Sequence, residues 1–190
     1  MKPRLRASAL TACWLLVCTD AVCAQTQHDV DPTTGSETWK TSAHGVALSL
    51  TQILPDQARA FYVNRGFSAE DAERFATACV YMTVLRNDAA GGTVEFVLQD
   101  WKVRSAEGVR PPLAVADWMQ RWTDKGLGKP QLVAFRWAQF PPSQAYEPGD
   151  WNQGMLTTGL PAATVFDLTA HWKVGDQAFS ATLEGVRCAN

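Results

Sequence analysis

Residues 166–183 read Phe166-Asp167-Leu168-Thr169-Ala170-His171-Trp172-Lys173-Val174-Gly175-Asp176-Gln177-Ala178-Phe179-Ser180-Ala181-Thr182-Leu183. Apolar side chains occupy every second position: Phe166, Leu168, Ala170, Trp172 and Val174 on the way out, Phe179, Ala181 and Leu183 on the way back. Successive side chains of a strand point to opposite faces, so a period of two marks a strand with one buried face. Gly175-Asp176 between the two runs has the chemistry of a two-residue hairpin turn. His171 is out of parity with the apolar set and belongs on the other face. Upstream, Thr93 to Val103 alternates in the same way, with Val94, Phe96 and Leu98 opposing Glu95 and Gln99. The turn-rich Asn87–Gly92 stretch links it to the strand formers Val80, Tyr81, Thr83 and Val84, which predicts a second hairpin. Gly45 to Leu50 reads as a first short strand. Leu132 to Phe140 reads as another, stopped by Pro141-Pro142.

Helical signals are fewer. Ser68-x-x-Asp71 has capping-box spacing, acids crowd the turn that follows, and Ala72, Phe75, Ala76 and Cys79 share one helical face. Phe67, just before the cap, is placed to staple onto Ala72, leaving Arg65 solvated or paired with an acid of that turn. Leu113 to Lys125 is the second helical segment: Trp118 and Trp122 share a face with Val115, and Gly126 ends it. Gln57 to Val63 fits either a helical turn or a short strand. Cys79 and Cys188 lie at the start of an early strand and the end of the last one, so a Cys79–Cys188 disulfide would tie two sheets together. That placement resembles immunoglobulin-like domains in architecture. The expected fold is mainly β: an immunoglobulin-like antiparallel β-sandwich with two short helical segments, with an α+β arrangement as the alternative.

The chain has 190 residues with 17 Lys+Arg against 19 Asp+Glu and 46% apolar residues. That composition excludes wholesale disorder and a basic nucleic-acid binder. Lys2, Arg4 and Arg6 precede a mostly apolar run from Ala7 to Val17, and Val22-Cys23-Ala24 has the small-residue pattern of a cleavage site. Residues 1–24 are therefore expected to be a signal peptide cut near Ala24, with the product periplasmic or secreted. The apolar run is shorter than the ~20 residues of a membrane span, so no transmembrane anchor is expected. Leu10-Thr11-Ala12-Cys13 resembles a lipobox, but the most apolar part of the run, Trp14-Leu15-Leu16-Val17, follows the cysteine. Residues 25–42 are polar and expected to form a flexible lead-in, and 43–190 a single domain. Removing 1–24 leaves Cys79 and Cys188 as the only cysteines, most simply a disulfide in an exported chain.

The sequence contains no G-x-S-x-G, H-E-x-x-H, C-x-x-C or G-x-G-x-x-G. The most unusual stretch is 140–159, rich in Gly, Pro and aromatics and expected to be a long loop. Binding residues concentrate on loops held by a rigid sheet. Tyr146, Asp150, Trp151, Asn152 and Gln153 are thus the candidate ligand contacts, unless Tyr146 and Trp151 fold back over the sheet. Thioether and imidazole ligands suit copper, which makes Met155, His171 and His44 the candidate metal set, with Met82, Met119 and His28 as further donors. The expected function is an exported, non-catalytic accessory or binding protein of the cell envelope, contacting an envelope protein or small ligand through 140–159. The alternatives are a periplasmic copper-binding or metalloenzyme-assembly protein and, third, a small hydrolase.

Overall fold

The computed structural model describes residues 25–190; the expected signal peptide lies outside the described residues. Strands β1 (Gln27–Val30), β2 (Glu37–Ala43) and β3 (Val46–Gln52) lead into helices α1 (Pro55–Val63) and α2 (Ala69–Ala76). Then come β4 (Val80–Asn87), β5 (Val94–Val97), a 3-10 turn at Leu98–Asp100, β6 (Lys102–Ser105) and β7 (Gly108–Arg110). Helices α3 (Val115–Asp124) and α4 (Lys129–Ala138) precede β8 (Ser143–Tyr146), β9 (Trp151–Thr157), β10 (Val165–Val174) and β11 (Gln177–Arg187). One sheet runs β1-β2-β3-β4-β9; the other runs β7-β6-β10-β5-β8, with β11 on the far side of β10. All the strand pairings are antiparallel. The mainly β expectation holds. The first sheet is a meander with one late return, and among the described residues the helices number four rather than two.

The inward-facing residues of both sheets make the main core: Trp39, Leu48, Leu50, Tyr81 and Leu85 from the first, Phe96, Phe166, Leu168 and Trp172 from the second. The β10–β11 register is as its alternation requires, with Leu168 opposite Leu183, Ala170 opposite Ala181 and Trp172 opposite Phe179. Where the 3-10 turn interrupts pairing beside β10, the Trp101 indole donates to the His171 carbonyl (3.1 Å) and stands in for the missing strand. A second core lies on the other side of the first sheet. Tyr62, Phe75, Trp118, Trp122 and Phe135 from the four helices, with Phe67 from the connection between α1 and α2, close over Val80 and Met155 there. The Ser68 cap is as expected, its Oγ accepting from Asp71 N (3.1 Å), and Trp118 and Trp122 are buried together. Arg65 stays exposed, as expected, with its guanidinium over the Phe61 ring and donating to the Phe61 carbonyl.

Four expectations are corrected. Residues 25–42 are not a flexible lead-in: β1 and most of β2 lie there, with Trp39 in the core. β1 carries no periodic signal because it is an exposed edge strand that needs no apolar face. Leu132 to Phe140 is not a strand. Gly128 and a proline in the first turn start α4, and Phe135 is buried among the helical aromatics. Nor do β4 and β5 form a hairpin. The chain crosses between sheets at Asn87, whose amide donates to the carbonyls of Gly92 (2.9 Å) and Tyr146 (3.0 Å). Finally, 140–159 is not a long loop but carries β8 and β9. The Gln139–Phe140 backbone passes so close to Gly154 that any Cβ there would sit 2.3 Å from Phe140 N.

Candidate functional site

Reading the strand registers across the first sheet gives rows of side chains on its outer face. One row is Ser42, Ala47, Arg86, Trp151; the next is Lys40, Ser49, Val84, Gln153; the third is Thr38, Thr51, Met82, Met155. The helices cover the Met82 and Met155 end of the third row. The first two rows stay open and form a shallow groove of about 360 Å³ whose lining includes Lys40, Ser42, Ser49, Val84 and Arg86. Its floor is low because Ala47, Ser42 and Ser49 are small. Trp151 stands beside it, 53% exposed and directly opposite Arg86. The Arg86 guanidinium is held by Asp88 (3.0 Å), while Lys40 pairs with Asp29 (2.9 Å).

The five expected ligand contacts do not act as one loop. Trp151 and Gln153 share the open outer face. Asn152 lies between them in sequence, opposite Leu85, and so points to the other side of the sheet. Tyr146 is a core residue, 2% exposed, stacked on Phe96 with centroids 5.8 Å apart. Asp150 closes the β8–β9 turn, its carboxylate accepting from Glu147 N (3.1 Å) and its carbonyl from Asn87 N (2.9 Å). Arg86 and Lys40 were missed because a lone charge on a strand carries no signal until register shows its neighbours.

The expected metal set is dispersed in role. Met155 is buried in the helical core, and the Tyr62 hydroxyl donates to its Sδ (3.4 Å). His44 occupies the β2–β3 turn at φ 51° with its ring on Phe179 (4.7 Å). His171 lies on the outer face of β10. Among the described residues no three His, Cys, Asp or Glu side chains converge on one point. Met155 does lie directly opposite Met82, and Met119 packs against the same core. His28, a lesser candidate, stacks on Trp39 (5.0 Å) and contacts Glu37 (2.7 Å). Cys79 and Cys188 form the expected disulfide, S–S 2.01 Å.

The chain's three tyrosines, Tyr62, Tyr81 and Tyr146, are all buried. Burial penalises the phenolate and pushes each phenol above its ordinary range. The Gln139 amide beside Tyr62 partly opposes the rise, whereas the Glu37 charge adds to it at Tyr81. A phenol raised in the folded state contributes stability that is complete below the unfolded value of about 10 and is lost as pH climbs past it. Phenolate absorbance is therefore expected to emerge in one step together with loss of the near-ultraviolet circular dichroism. A tyrosine titrating near pH 10 in protein that is still folded is the contrary result.

Compared with protein-family models, curated proteins and solved structures, the chain matches none. Among the described residues no helix is long and apolar enough to cross a membrane.

Proposed function

We propose that this is an exported, non-catalytic binding protein of the cell envelope that contacts a protein or small ligand through the open outer face of the first sheet. The observation that carries the reading is Trp151, half in water yet fixed in register beside Arg86. Tryptophan and arginine dominate the energetics of interfaces. A side chain presented by a paired strand loses little further backbone freedom on binding. Gln153 and Lys40 supply donors on either side of the low floor, and the disulfide suits an oxidising compartment. Trp151→Ala is expected to leave stability within about 0.5 kcal/mol, as exposed positions usually do. It should also abolish partner capture by the immobilised protein from an envelope extract. A stability loss of about 2 kcal/mol or more would make Trp151 a structural residue and remove this reading.

A second reading rests on Met82 facing Met155. Directly opposed strand residues hold their Cβ atoms ~5 Å apart, within reach for two thioethers to share a Cu(I) ion. Stoichiometric Cu(I) uptake lost in Met82→Leu would support it, and absence of Cu(I) uptake by the native chain would end it.

A further inference from the structure

Strand β11 pairs with β10 and, among the described residues, with no other strand. The two-residue turn between Val174 and Gln177 fixes which main-chain groups face which way. Val174 and Gln177 close the hairpin as a hydrogen-bonded pair, so Phe179, Ala181 and Leu183 also bond to β10. Ala178, Ser180 and Thr182 then present their N–H and C=O to the open side. Thr26 confirms the parity independently. Its Oγ accepts from Glu184 N (3.0 Å) and donates to the Thr182 carbonyl (3.4 Å), capping one end of the edge. Among the described residues, the main-chain groups of Ala178 and Ser180 and the N–H of Thr182 have no such cap.

Natural sheets guard such edges with lysine, proline, inward charges or a covering element. The stretch Gln177-Ala178-Phe179-Ser180-Ala181-Thr182-Leu183 contains no charge, no proline and no glycine, and Ala178 and Ser180 are exposed. We propose that this edge pairs with the same edge of a second copy of the chain, extending the second sheet across a two-fold axis. Antiparallel pairing centred on Phe179 sets Ala178 opposite Ser180 of the second copy and forms about four main-chain hydrogen bonds. It is self-complementary because the paired stretch is uncharged: Asp176 falls opposite Thr182, and Glu184 lies beyond the paired strand. A closed two-fold contact also removes the edge, so assembly stops at the dimer. The Trp151 face lies on the other sheet, so the dimer does not depend on that surface.

Sedimentation velocity of the mature chain over a wide loading range is expected to show a reversible monomer–dimer equilibrium. Ser180→Pro removes an N–H that is free in the monomer, so it should weaken association at least tenfold while the melting temperature, read well below the dissociation constant, stays unchanged. Should that variant fail to fold, the double variant Ala178→Lys, Ser180→Lys brings like charges opposite one another without touching the β10 bonds, and is expected to be monomeric. A native chain that stays monomeric at every loading overturns the proposal. So does a dimer that survives in the edge variant that folds, because its interface then lies elsewhere.

Discussion

The double variant Cys79→Ala, Cys188→Ala is expected to lose about 2–5 kcal/mol of stability and to melt about 5–15 °C lower. The bridge spans 109 residues, and closing a loop of that length removes about 4–5 kcal/mol of unfolded-state entropy in the chain-entropy model. Its position adds to the effect. Cys79 immediately precedes β4 in the first sheet, Cys188 immediately follows β11 in the second, and both are buried. At the same end the Arg187 carbonyl accepts from the Tyr81 hydroxyl (2.6 Å) and the Gln52 amide (2.8 Å). Cys188 N also donates to the Thr164 carbonyl (2.9 Å). Loss of the bridge frees the chain terminus that presents these groups. Urea denaturation decides the matter: a midpoint shift worth less than about 1 kcal/mol would show that the hydrogen bonds hold this end without the disulfide.

Gly45→Ala is expected to cost about 3 kcal/mol or more, whereas Gly175→Ala costs about 1–2 kcal/mol. Both glycines sit in hairpin turns at positive φ, 77° and 58°, so both substitutions pay for the left-handed conformation. Only Gly45 is also crowded: a Cβ there would lie 2.2 Å from Ala89 C and 2.3 Å from Ala90 N, whereas nothing lies within 4 Å at Gly175. The obstruction is backbone, which cannot step aside like a flexible side chain. It is held because the Gly45 carbonyl accepts from Asp88 N and Ala89 N, both 2.9 Å, where the chain leaves the first sheet for the second. Equal melting temperatures for the two variants would show that this crossing yields freely.

The outer groove was half legible. The unusual composition of 140–159 marks Trp151 and Gln153, but as parts of a loop. Gly and Pro there suggested irregular backbone, when in fact Gly154 serves a close crossing and Pro141-Pro142 precede β8. Sequence alone does not distinguish Tyr146 from Trp151, since both are aromatics in the same stretch. Register separates them, one into the core and one into water.

Local pattern alone determined the β10–β11 hairpin, the Ser68 cap, the Trp118–Trp122 face and the cysteine pair. Each depends on neighbours within a few residues, or on there being one partner to choose. The run Leu132–Phe140 satisfies both a two-fold and a helical period. Only the aromatic pocket that receives Phe135 selects the helix. The polar β1 strand, the crossing at Asn87 and the rows that join Arg86 to Trp151 were decided by the tertiary structure. Which strand lies beside which is settled by contacts between distant residues, and no local period records them.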